Sequence, residues 1–162
     1  MSTMIDVLSG FFAAETAYLA AGGPGKADFA PIAACLDPDV VMYQAESLPY
    51  GGLWRGPAGI EAFMTAMSRE WLSLQFLEQR FVVDDDTIVV YNRGVLRARE
   101  TPRQLETSVM QLITVRDSLI VEFRVFYLDT AAVLDTLGDH GETRSRTSRR
   151  RSTEPDAPGA AP

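Results

Sequence analysis

Apolar side chains in the first twenty residues recur at helical intervals: Ile5, Leu8, Phe12, then Glu15 or Thr16, then Leu19, before Gly22-Gly23-Pro24-Gly25 stops the run. This spacing predicts a helix over 4–21. A second, short helix is expected over about 29–36, followed by the turn residues Asp37-Pro38-Asp39 and a strand over 40–45. Leu48-Pro49-Tyr50-Gly51-Gly52 reads as a turn. Behind Pro57, which suits a first helical turn, Ile60, Phe63, Met64, Met67 and Trp71 form one apolar stripe, so a third helix is predicted over about 57–72. The pattern then changes to four strand signals, 74–83, 87–99, 104–116 and 119–128, with tight hairpins at Asp84-Asp85-Asp86 and Asp117-Ser118. A last helix over 129–137 starts on Asp129 as N-cap and ends at Gly138.

Helices, then a long antiparallel meander, then a closing helix predict an α+β domain in which a curved antiparallel sheet wraps around helices. Strands this long must bend. A bent sheet with helices on its concave side leaves a cone-shaped cavity, a natural small-molecule site.

Composition sets the boundaries. From Asp139 onward the chain turns to Gly, Ser, Thr, Arg and Pro, so 1–138 is expected to be the domain and 139–162 a disordered, Arg/Pro-rich tail. The tail's five Arg against four acidic residues give +1, and the chain's net charge of −7 therefore leaves −8 on the domain. That sign argues against a nucleic-acid partner, since phosphate binding needs a basic face. One His and one Cys leave little for zinc sites, catalytic thiols or Ser-His-Asp machinery, so no metal and no cofactor are expected and the chemistry falls to carboxylates, tyrosines and arginines. The lone Cys35 cannot form an internal disulfide, which fits a cytoplasmic setting. Asp6 and Glu15 interrupt the apolar run at the N-terminus, and no secretory leader or membrane association is expected.

Three segments carry a family resemblance: Leu36-Asp37-Pro38-Asp39-Val40-Val41, Leu48-Pro49-Tyr50-Gly51-Gly52-Leu53-Trp54-Arg55-Gly56, and Ile120 through Asp129. In this order they resemble the nuclear transport factor 2-like (cystatin-like) superfamily, and within it the SnoaL-like branch, over about residues 8–138. The resemblance implies the cone fold, often dimerised through the outer sheet face. It also implies a range of activities: polyketide cyclases, a steroid isomerase, scytalone dehydratase, limonene-type epoxide hydrolases and non-catalytic binding domains.

Against the epoxide hydrolases, Tyr43 and Arg93 match catalytic positions, while Ala45, Val95 and Val125 stand where an Asn and two Asp would be. If Tyr43 and Arg93 point inward, strand alternation turns Ala45, Tyr91 and Val95 inward as well, with Val121, Phe123, Val125 and Tyr127 on the last strand. On this register Tyr43, Glu46 and Arg93 are the candidate catalytic groups: Glu46 as general acid or base, Tyr43 or Tyr91 as donor to an oxyanion, Arg93 facing an anion. Glu46 could equally cap the glycine turn, and Arg93 could pair with Asp28, Glu46 or Asp129. Tyr50, Trp54, Tyr91, Gln111, Phe123 and Tyr127 are candidate substrate contacts. The function expected is cofactor-free cyclisation, isomerisation or epoxide opening of a small apolar, oxygenated molecule of polyketide or terpenoid type. The alternative is a non-catalytic ligand-binding or dimerisation module. A homodimer is expected through Met110, Leu112, Ile120 and Phe126 on the outer sheet face.

Overall fold

The computed structural model describes residues 3–138; the tail expected over 139–162 lies outside the described residues. Helix α1 (Met4–Ala20) opens on a reciprocal cap. Thr3 Oγ1 accepts from the Asp6 amide at 3.2 Å, and the Asp6 carboxylate accepts from the Thr3 amide at 2.8 Å, satisfying donors that a first turn leaves without helical partners. Its buried stripe packs on the sheet, with the Phe11 ring 5.0 Å from Phe123 and Phe12 5.4 Å from Phe76. After the single turn of α2 (Ala30–Ala33), strand β1 (Leu36–Gln44) already begins, so the expected second helix is cut short.

β2 (Gly52–Arg55) begins on the last residue of the turn expected over 48–52 and is a strand that the sequence pattern does not predict: Leu53, Trp54 and Arg55 pair antiparallel with Tyr43, Met42 and Val41. Helix α3 (Gly56–Glu70) follows with Pro57 in its first turn and Ile60, Phe63, Met64 and Met67 buried. The meander is β3 (Trp71–Asp84), β4 (Thr87–Ala98), β5 (Gln104–Arg116) and β6 (Leu119–Tyr127), closed by α4 (Thr130–Leu137), whose N-cap Asp129 accepts from the Ala132 amide at 3.0 Å. The six strands form one curved, unclosed sheet in the order β2-β1-β6-β5-β4-β3. All its pairs are antiparallel except β1 with β6, which run parallel.

The ladder fixes which residues face the helices. Phe123 is fully buried against α1, and it lies opposite Ile113 on β5 and beside Met42 on β1. Val109 and Gln111 therefore share its face, and through them Asn92 and Val90 on β4. On β4 the even positions 88 to 98 are all buried. Tyr43, Tyr91, Arg93 and Val95 lie on the opposite, outer face, so the inward register expected for β1 and β4 is off by one residue. The expected register for Phe123, Val125 and Tyr127 holds, and since every strand is paired to the next, these positions and an inward Arg93 could not coexist.

Of the register shifts in the ladders, two decide facings that matter for the expected site and dimer face. Between β5 and β6 the pairing passes from Thr114–Glu122 to Val115–Ile120, skipping Val121. Ile120 is thereby fully buried instead of lying on the outer face expected to form a dimer. On β3 the pairing passes from Phe76–Gly94 to Glu78–Arg93, skipping Leu77. Before this bulge the even residues Leu74 and Phe76 face inward; beyond it Gln79 and Phe81 do, and Glu78 turns outward. Gly94 is required at this crossing, because a Cβ there would sit 2.6 Å from the Gln75 carbonyl oxygen.

Candidate functional site

α1, α3 and the concave sheet face enclose a cavity of about 60 Å³. Phe11, Phe63, Met42, Met67, Leu74 and Phe76 supply apolar wall; Glu15, Gln44, Asn92, Thr107, Gln111 and Tyr127 supply polar atoms. This volume holds a few waters.

Glu15 is the charged group in this wall. It sits on the buried stripe of α1 between Phe12 and Leu19, and no hydrogen-bond or ion-pair partner reaches its carboxyl among the described residues. Burial alone raises its pKa from the ordinary 4.5 to about 7, because the carboxylate form has lost water without gaining a counter-charge. The cavity wall thus contains an acid that exchanges its proton near neutrality.

A hydrogen-bonded chain meets the cavity beside it. The fully buried Tyr50 oxygen accepts from Trp71 Nε1 at 3.0 Å and from the Tyr127 hydroxyl at 3.5 Å, and Tyr127 also lies 3.4 Å from Gln44 Oε1. Burial, then the neighbouring Tyr50, push the Tyr127 pKa well above the ordinary tyrosine value. Burial likewise raises that of Tyr50, against the opposing pull of the Tyr127 and Trp71 hydrogen bonds. Both phenols therefore stay neutral. The 45–52 segment reaches this position through a tight turn in which a Cβ on Gly51 would meet the Ala45 carbonyl oxygen, and Trp54 Nε1 holds it by donating to the Tyr50 carbonyl at 3.2 Å. Asn92 completes the polar set: its Oδ1 accepts from Gln79 Nε2 at 2.9 Å, while its buried Nδ2 has no partner among the described residues.

The sequence-derived candidates divide between this cavity and the outer face. Tyr127 and Gln111 line the cavity, and Tyr50 and Trp54 stand behind it; Phe123 is a core residue under α1. Tyr43 is outside, its ring covered by the Arg124 guanidinium 4.1 Å from the centroid. It shares a shallow outer depression with the exposed Glu46. Arg93 lies apart from both, its Nη1 2.6 Å from Glu106 and its Nε 3.4 Å from Glu78. Tyr91 bonds Ser108 at 2.9 Å on the same outer surface. The convergence of Tyr43, Glu46 and Arg93 in one cup is therefore not what the fold produces. Glu15, Gln44 and Asn92 take the inner positions instead. Glu15 was marked in the sequence as a carboxylate inside an apolar stripe, and Asn92 by its place between Val90 and Gly94 on a strand whose charges, Arg93 and Arg97, have the other parity. Among the described residues no cluster of three His, Cys, Asp or Glu is arranged to hold a metal.

The fold is met in known structures. No curated protein sequence matches the chain. A protein named TerC, crystallised with polyporic acid, superposes with a TM-score of 0.72 at 18% identity, covering 85% of this chain and 100% of its own. An NTF2-like protein from Burkholderia xenovorans LB400 gives 0.69 at 25% identity over 85% and 98% of the two chains. A proposed polyketide cyclase from Pseudomonas putida KT2440 gives 0.66 at 15% identity over 82% and 97%. These likenesses carry the fold. The family model described as SnoaL-like domain matches residues 16–123, from the last turn of α1 to Phe123 on β6, and with that match over most of the cone the chain belongs to the SnoaL-like domain family.

Proposed function

We propose that this protein is a cofactor-free enzyme that moves a proton on a small, apolar, oxygenated molecule, an isomerase or cyclase of the kind used on polyketide or terpenoid intermediates. One observation carries the reading: the partnerless Glu15 carboxyl, buried in the cavity wall with a pKa of about 7. As carboxylate it takes a proton from the carbon beside a carbonyl; the electron pair passes to the oxygen, and the carboxylic acid returns the proton at another carbon. The apolar wall keeps water from competing. The neutral Tyr127 hydroxyl, fixed by Tyr50 and Gln44, orients the bound molecule.

The test is the conversion of 3-cyclopentenone to its conjugated isomer, followed by ultraviolet absorbance. Wild-type protein accelerates it, and Glu15→Gln loses about 10²- to 10⁴-fold, the usual worth of a positioned acid or base. Equal rates for the two proteins, or no rate above buffer, overturn the proposal.

The second reading, a non-catalytic binding or assembly module, is favoured by the small cavity and by Arg93 being held in ion pairs outside it. It requires that Glu15→Gln change nothing in the isomerisation. Under either reading we propose a homodimer through the outer sheet face, where Met110, Leu112 and Phe126 are 49%, 37% and 57% exposed. A monomer in sedimentation equilibrium at micromolar concentration refutes it. The half-buried free thiol of Cys35 supports a cytoplasmic setting.

A further inference from the structure

The cavity wall contains a buried donor that has no acceptor among the described residues. Asn92 is 4% exposed and its Nδ2 has no partner among the described residues. An unpaired buried amide N–H costs about 1–3 kcal/mol, so such a group in a cavity wall points to a ligand atom. Which end of the amide is left unpaired is set from behind. Gln79 lies directly opposite Asn92 across the β3–β4 ladder and donates its Nε2 to Asn92 Oδ1 at 2.9 Å, which occupies the acceptor end and leaves the donor end of this cavity-lining residue without a partner among the described residues.

The pair exists because of the bulge at Leu77. With unbroken alternation from Leu74 and Phe76, the residue on the inner face would be Glu78, and Gln79 would point to solvent. The skipped residue brings the amide inside and sends the carboxylate outside to Arg93. A bulge beside a cavity re-aims a side chain in this way.

We infer that the Gln79–Asn92 amide pair is a specificity device that selects ligands carrying an acceptor-only oxygen, a ketone or ester carbonyl, and places that oxygen on Asn92 Nδ2. Asn92 is the binding residue and Gln79 the positioning residue. The inference rests on the cavity being the substrate site, as proposed above, and adds the group by which the substrate is held. A hydroxyl can meet the same N–H only through its oxygen lone pair and must then find an acceptor for its own proton. A carbonyl has no such requirement.

The probes are cyclopentanone and methylenecyclopentane, equal in shape and differing in the acceptor oxygen, titrated into the full chain and followed by NMR. In the wild type the ketone binds about tenfold more tightly than the alkene, and the Asn92 side-chain N–H resonances move with the ketone alone. Asn92→Leu removes the preference while still binding the alkene. Gln79→Glu also abolishes it, because a carboxylate accepts only, so the Asn92 amide turns its Nδ2 towards residue 79 and its Oδ1 to the cavity. Equal binding of the two probes by wild type, absence of binding of both, unmoved Asn92 resonances, or a preference that survives in Gln79→Glu each overturn the inference; the wild-type measurements stand even if a variant fails to fold. The two proposals separate cleanly, since a ketone preference with unchanged isomerisation in Glu15→Gln refutes the proton-transfer reading and leaves the amide pair standing.

Discussion

Glu15→Gln gives the protein a different dependence of stability on pH. Below about pH 4 the carboxyl is protonated both in the folded and in the unfolded wild type, so the two proteins differ only in how the amide fits the wall. As pH rises past 4.5 the unfolded carboxyl ionises, while the buried one keeps its proton until about 7. The folded pKa is raised, so the stabilising balance is complete at acid pH and is lost as pH climbs from 4.5 through 7. The gap between those values corresponds to about 3 kcal/mol, fully developed at about pH 8. Gln cannot ionise. Relative to its standing at pH 4, the variant gains about 3 kcal/mol on wild type by pH 8, or on the order of 10 °C in Tm for a domain of this size. The assay is urea unfolding of both proteins in matched buffers across this range. Exposed carboxylates with lowered pKa titrate with the opposite sign at the acid end: Asp6 through its Thr3 hydrogen bonds, Glu78 through Arg80 and Arg93, Asp86 through Thr87 and Arg116. They are present in both proteins and cancel in the difference. A difference that stays flat from pH 4 to pH 8 refutes the buried, partnerless carboxyl and the proton chemistry built on it.

Tyr50→Phe strips Trp71 Nε1 of its acceptor and destabilises by about 1–3 kcal/mol in chemical denaturation. Gly94→Ala forces a Cβ against the Gln75 carbonyl and costs about 1–3 kcal/mol, whereas Gly10→Ala, in open space within α1, stabilises by about 0.5–1 kcal/mol, both read as shifts of the urea midpoint. Arg93→Met leaves the isomerisation of 3-cyclopentenone at the wild-type rate; a loss of turnover would return the chemistry to the outer face.

What the sequence determined by itself is local. The three-and-four spacing of Ile60, Phe63, Met64 and Met67, the Asp129 cap and the Asp-rich hairpins produce the elements almost where they were expected, because helical and strand periods and turn chemistry act over a few residues. Parity on β4 is also legible, since Arg93 and Arg97 share one face and a strand buried on the other must turn both outward. Glu15 could be read as the odd member of an apolar stripe. The remainder depended on tertiary structure. β2 is a strand because β1 is beside it, β1 runs parallel to β6, and the one-residue slip at Leu77 exchanges Glu78 for Gln79 on the inner face. Alternation has a period of two, so a single skipped residue inverts every facing beyond it. Only the paired ladder records where that skip falls, and with it which residue of the cavity wall keeps an amide nitrogen without a partner among the described residues.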